Sequence, residues 1–189
     1  MPRKVDTQER RTRIADALMR VAAEQGLEAV SLRHVAAAAG VSAGMVQHYF
    51  RTKDEMMRFA MEVVRDRAQV RVTEAIAGLG ATPQPRDLLR TMITSILPLG
   101  EQARADGRVA LAFLAYTAVR PAAAATLRED TDQMSGFLAG MLPGPAPEAA
   151  AAGLLALMEG LGVYLLGGQL SAEQALAALD AHLNLLIPE

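Results

Sequence analysis

Residues 31–56 read SLRHVAAAAGVSAGMVQHYFRTKDEM. Ser31 is a good N-cap, and Leu32, Val35, Ala36 and Ala39 after it share one helical face. Gly40 breaks that helix, because glycine readily takes the positive φ of a tight turn. Ser42 then caps a second short helix over about 43–50. Thr52 and Glu55 form a T-x-x-E capping box for a third. Two short helices joined by AGVS are a helix-turn-helix. The turn glycine lets the helices cross steeply, and Val41 plugs the angle between them.

The flanks are helical too. Ile14, Ala17, Leu18, Val21 and Ala22 follow the i, i+3, i+4, i+7, i+8 template of one helical face. Asp6 and Glu9 form a D-x-x-E capping pattern, Glu9/Arg13 and Asp16/Arg20 are i,i+4 pairs, and Gly26 sits where a C′ glycine ends a helix. The helix after Thr52 runs to about Gly80, with Met56, Phe59, Ala60, Val63 and Val64 on one face. At 1.5 Å per residue it spans ~40 Å, enough to link two domains. GATPQP at 80–85 is a loop. Further helices follow at about 86–97, stopped or kinked by Pro98; 99–119, with Gly107 as a weak point; 122–142; 147–167; and 171–187, where Ser171 and Gln174 form another capping box. No strand alternation and no internal repeat is visible. The expected fold is all-α with about nine helices: a helix-turn-helix domain over 1–52, a connecting helix over 53–80 and a helical domain over 81–189.

Composition narrows the function. Half the 189 residues are hydrophobic (51%), so a sizeable core is available. No cysteine is present, which excludes disulfides and thiolate metal sites and fits a reducing cytoplasm. The polar N-terminus shows no secretory signal, and the longest apolar run, Val109–Val119, falls short of the ~20 residues that span a bilayer. A soluble, cytoplasmic protein is expected. Residues 1–71 hold 13 Lys and Arg against 9 Asp and Glu, while residues 72–189 hold 6 against 12. A basic front and an acidic rear suit different partners. His34, His48 and His182 are scattered, and no nucleophile elbow, phosphate loop or dinucleotide fingerprint occurs. No catalytic residue, metal site or cofactor is expected.

The chemistry lies on the helix at 43–50. Val46 and Phe50 are i,i+4 and face inward, which turns Ala43, Gly44, Gln47 and His48 outward. Such a helix fits a DNA major groove about 12 Å wide. The small pair Ala43–Gly44 lets the backbone approach, and Gln47 carries the donor–acceptor pair that reads adenine. Ser42, Tyr49 and the Ser31 helix start suit phosphate oxygens, and Lys53 adds a charge for the same backbone. Two bland readings stand beside these roles: Tyr49 as a core tyrosine and His48 as a solvated side chain.

This segment resembles the DNA-binding region of the tetracycline-repressor (TetR) family. The shared pattern is Ser31, Ala39–Ser42, the variable pair Ala43–Gly44, Tyr49–Phe50 and Lys53, within a match over residues 8–68. The resemblance implies an Ω-shaped homodimer with a C-terminal ligand domain. It makes Ser31, Ser42, Ala43, Gly44, Gln47, Tyr49 and Lys53 DNA contacts. The family often carries Tyr where this chain has Gln47, so base preference there departs from it. SILPLGEQARADGRVALAFLAY at 95–116 is similar to the betaine-regulator-like (BetI) branch.

In the rear, Leu176, Leu179, Leu183 and Leu186 are spaced 3, 4, 3, as in a helix–helix seam, and Leu154, Leu157, Leu161 and Tyr164 share that spacing. A four-helix dimer interface is expected there, with an intramolecular core as the alternative. Phe113, Tyr116, Met134, Phe137 and Met158 are candidate ligand contacts, or else ordinary core. Glu159 is a lone acid in LLALMEGLGVYLL: it holds a cationic ligand, or it reaches solvent or an arginine across the dimer. The expected function is a ligand-responsive repressor, released from a palindromic operator in double-stranded DNA by a small-molecule inducer. The alternative is a helical binding or adaptor protein with the same fold and no grip on DNA.

Overall fold

The computed structural model of the chain describes residues 3–26, 30–120 and 124–188, with the side chains of residues 3–8, 23 and 126 outside the description. Nine α-helices and no strand occur among the described residues. They are α1 (Arg3–Gln25), α2 (Leu32–Ala39), α3 (Ala43–Tyr49), α4 (Lys53–Ala77), α5 (Pro85–Ile96), α6 (Glu101–Ala118), α7 (Ala124–Ala139), α8 (Pro147–Gly167) and α9 (Ala172–Leu186). The all-α expectation holds. The helix at 122–142 is shorter than expected, because the chain turns after Ala139, and residues 121–123 lie outside the description.

The helices form two compact units. One holds residues 1–67 and 108–120, the other 68–107 and 121–189. The division therefore differs from boundaries at residues 52 and 80. It cuts α4 and α6, and the second half of α6 joins the helix-turn-helix, which no local period announces.

In the first unit, Ile14, Ala17, Leu18, Val21 and Ala22 are all buried, as their spacing requires. α1 already begins at Arg3, so Asp6 lies inside the helix instead of capping it. Gly26 ends it at φ 78°. The expected Asp16/Arg20 pair is replaced by tertiary partners: Asp16 meets Arg67 at 2.7 Å, and Arg20 Nη2 donates to the Ala38 carbonyl at 2.8 Å. Phe50 is fully buried, with Phe59 5.3 Å away and the Arg11 guanidinium over both rings. This cation–π stack fixes the residue that closes α3.

In the second unit, α5, α7, α8 and α9 share one core built on Leu89, Ile93, Leu138, Leu154, Leu165 and Leu179. Arg90 clamps Asp180 through two hydrogen bonds of 2.6 and 3.1 Å, tying α5 to α9. That ion pair holds the Asp180 carboxyl below its usual pKa and raises that of Arg90. The Ser171–Gln174 capping box forms in full. α6 runs unbroken through Gly107, where a Cβ would meet Leu166 and Pro98 at ordinary contact distance.

The leucine seams need correction. Leu154, Leu161, Leu179 and Leu183 are buried in the chain's own core, Leu157 and Leu186 are half-buried against it, and Leu176 is half-buried. Leucines bury more apolar area per residue than alanines, so the bulkier stripe takes the core. A second apolar stripe is left outside: Ala152, Ala156 and Val163 on α8, with Ala178, Ala181 and the 80%-exposed Leu185 on α9. α8 is long and apolar enough to cross a bilayer by length and composition, but one of its faces fills this core.

Candidate nucleic-acid interface

The interface is built by two serine caps and one glycine. The Ser31 Oγ accepts the His34 N–H at 3.2 Å and the Ser42 Oγ accepts the Met45 N–H at 3.1 Å. Each hydroxyl keeps its proton to donate outward, which suits a phosphate oxygen. Gly40 lies at φ 66°, ψ 35°, in the left-handed region that favours glycine, and donates to the Ala36 and Ala37 carbonyls. Val41 N–H follows onto the Ala36 carbonyl at 3.0 Å. The turn thus satisfies the end of α2 while redirecting the chain into α3.

On α3, Val46 is fully buried and Phe50 is buried just beyond the last turn, whereas Ala43, Gly44, Gln47 and His48 are exposed. A Cβ added at Gly44 would find nothing within 4 Å, so the backbone there is open to an approaching ligand. Tyr49 is half-buried, and His48 sits edge-on to it at 5.3 Å. The two bland alternatives therefore divide. His48 is solvent-exposed, and Tyr49 is half in and half out of the core.

α4 starts with a modified box. Thr52 Oγ1 accepts the Glu55 N–H at 3.1 Å as expected, but the Glu55 carboxylate takes the Arg51 N–H at 2.8 Å. Lys53 is half-buried, its ammonium 5.9 Å from the Tyr116 ring. The eight expected DNA contacts thus fall within one unit, at the α2 start, along α3 and at the α4 start. Exposed Arg33 and Arg51 stand beside them. Arg33 lies two residues after the Ser31 cap and Arg51 directly before Thr52, so their place beside the helix starts is legible in the sequence.

The six ligand candidates do not come together within one unit. Phe113 and Tyr116 are buried in the helix-turn-helix unit, while Met134, Phe137, Met158 and Glu159 belong to the other. The Tyr116 hydroxyl donates to the Asp54 carboxylate, and Arg120 lies 4.1 Å over its ring. Burial, then that hydrogen bond, pushes the Tyr116 pKa up, so it stays a donor. Phe137 is 52% exposed and Met134 is exposed on α7. Met158 is half-buried against the core. Glu159 stands on the open side of α8, where desolvation by the apolar helix raises its carboxyl pKa.

Comparison with known proteins places both units. A family model described as bacterial regulatory proteins, tetR family, matches residues 14–58, and one described as BetI-type transcriptional repressor, C-terminal, matches residues 85–188. The HTH-type transcriptional regulator BetI of Stenotrophomonas maltophilia is 30% identical over 184 residues, covering 93% of this chain and 91% of its own. A solved transcriptional regulator from Rhodococcus sp. Rha1 superposes with a TM-score of 0.84 at 34% identity, over 93% of this chain and 95% of that one. A regulator from Saccharomonospora viridis, solved in complex with choline, superposes with a TM-score of 0.73 at 21% identity, over 94% of each chain.

Proposed function

The chain belongs to the tetracycline-repressor family of transcriptional regulators, with a BetI-type repressor C-terminal domain, and from that premise we propose how it works. Acting inside the cell and without catalysis, each chain inserts α3 into the major groove. Gln47 reads a base, while Ser31, Ser42, Tyr49 and Lys53 fix the helix on phosphates. The observation that carries this reading is the split of α3 into a pinned face, Val46 with Phe50, and an open face of Ala43, Gly44, Gln47 and His48.

Two copies pair through the exposed stripe of α8 and α9, because exposed apolar side chains such as Leu185 and Val163 are costly in water and one face meets its own copy about a two-fold axis. Such a dimer reads two half-sites about 34–36 Å apart, or a multiple of that, in a palindrome. A small molecule bound by the second unit favours the arrangement that cannot hold both half-sites and so releases DNA.

The test is a mobility-shift titration against the chain's own upstream DNA at several salt concentrations. Sequence-preferring binding with a steep salt slope is expected. Gln47→Ala relaxes specificity at one base and costs about 1–3 kcal/mol, whereas Lys53→Ala weakens all duplexes alike. Binding without preference or salt dependence overturns the reading in favour of a helical binding protein. A thermal-shift screen that includes choline as a probe then looks for concentration-dependent stabilisation that also lowers operator affinity.

A further inference from the structure

The second half of α6 folds with the helix-turn-helix, and the residues just beyond its end supply a cation there. Arg120 follows the end of α6, its N–H bonded to the Thr117 carbonyl at 3.0 Å, and its side chain is exposed. Its guanidinium lies 4.1 Å from the centroid of the Tyr116 ring. The Lys53 ammonium lies 5.9 Å from the same centroid. One ring therefore holds two positive charges that come from positions far apart in sequence. The ring is itself fixed, because Tyr116 is buried and its hydroxyl donates to Asp54 at the start of α4.

We infer that Arg120 is a further DNA-backbone residue, a phosphate-directed cation supplied from outside the helix-turn-helix and aimed by the Tyr116 ring. The inference rests on the reading that Lys53 meets the phosphate backbone. Two cations facing one ring lie within about 10 Å of each other, roughly one Debye length at about 0.1 M salt. Duplex DNA carries one negative charge per about 1.7 Å of its axis and a condensed layer of counterions. A guanidinium that close to a phosphate-bound lysine displaces counterions from that layer. Stacking on tyrosine restrains the arginine beforehand, so less freedom is lost when it meets the phosphate. The Asp54 carboxylate accepts the Tyr116 hydroxyl and so holds the ring in place between the two cations.

The experiment is the salt dependence of DNA binding by the full chain carrying Arg120→Ala or Arg120→Lys. Because each neutralised phosphate contributes about 0.9 to the log–log slope, Arg120→Ala should flatten the slope by about that amount. It should also weaken operator and unrelated duplexes by the same factor, whereas Arg120→Lys, which keeps the charge, should retain the slope. A slope unchanged by Arg120→Ala overturns the inference, even if affinity or melting temperature falls, because an arginine that only packs on Tyr116 leaves counterion release untouched. If the unmodified chain itself shows no salt-dependent binding, the failure is that of the DNA-binding reading as a whole.

Discussion

Arg71 of α4 and Asp106 of α6 form a 2.7 Å ion pair in which the aspartate is 2% exposed and the arginine 26%. Arg71 also donates to the Ser95 carbonyl at 3.2 Å, and Gln102 donates to Asp106 at 3.0 Å. The pair thus gathers α4, α5 and α6 of the second unit around one buried carboxylate.

That asymmetry of burial predicts an order of damage. Arg71→Met removes the charge partner of a buried carboxylate that keeps its hydrogen bond from Gln102, whereas Asp106→Ala leaves an arginine that still reaches solvent. Breaking a buried pair costs about 3–5 kcal/mol when the remaining charge is trapped. Arg71→Met should approach that range and Asp106→Ala should fall below it, about 1–3 kcal/mol. Urea denaturation of both variants checks the order, and equal losses would show that the burial difference does not control the energetics.

Asp180 makes the acid-side prediction. Its hydrogen bonds from Arg90 depress its pKa in the folded chain. A depressed carboxyl contributes stability that is present above its unfolded value, about 3.9, and lost as pH falls through the folded value. The unmodified chain should therefore exceed Asp180→Asn in melting temperature at pH 7, and the gap should close below about pH 4. Asp180 is a third exposed, so the gap amounts to no more than about 1 kcal/mol. A gap that widens in acid contradicts the pairing.

Glu159 works in the opposite sense. A carboxyl whose folded pKa is raised by desolvation destabilises the folded chain at neutral pH, and the penalty is relieved as pH falls through the folded value. The proposed pairing of the α8 faces would bury it further. Glu159→Gln should therefore tighten self-association at pH 7, with the advantage shrinking as the solution is acidified. Sedimentation at the two pH values measures it, and a variant that associates no better at pH 7 places Glu159 outside the interface.

The two stripes of the rear helices are separable by mutation. Leu185, 80% exposed, should tolerate Leu185→Glu in the folded monomer while losing the dimer. Leu154, fully buried in the core, should cost about 2–5 kcal/mol as Leu154→Ala whatever the protein concentration. A Leu185→Glu chain that remains dimeric would move the interface elsewhere.

These cases show what the sequence discloses and what it conceals. Val46 and Phe50 were legible as an inward pair because i,i+4 spacing admits one answer on a short helix with polar neighbours. Ser31, Ser42 and Gly40 were legible because caps and left-handed turns depend on adjacent backbone groups. α8 was not, because it is apolar nearly all round, and period alone cannot tell which of two stripes meets the core. Tyr116 with Asp54 and Asp16 with Arg67 were invisible, since each joins residues over fifty positions apart with no local signal.

Gly44 offers a prediction in which stability and function part. It lies inside α3, with nothing within 4 Å of a Cβ placed there. Glycine in a helix is less stable than alanine by roughly 0.5–1 kcal/mol, because its unfolded chain has more freedom to lose. Gly44→Ala should therefore raise the melting temperature. The same methyl group projects from the open face, into the space that DNA occupies if the backbone approaches the groove closely. Operator affinity should then fall while the fold gains stability, a combination that loss of structure cannot produce. Thermal unfolding and a mobility-shift titration on the same preparation measure both. If the variant is more stable and binds DNA unchanged, α3 does not approach the groove through Gly44, and Gln47 becomes the nearest point of contact.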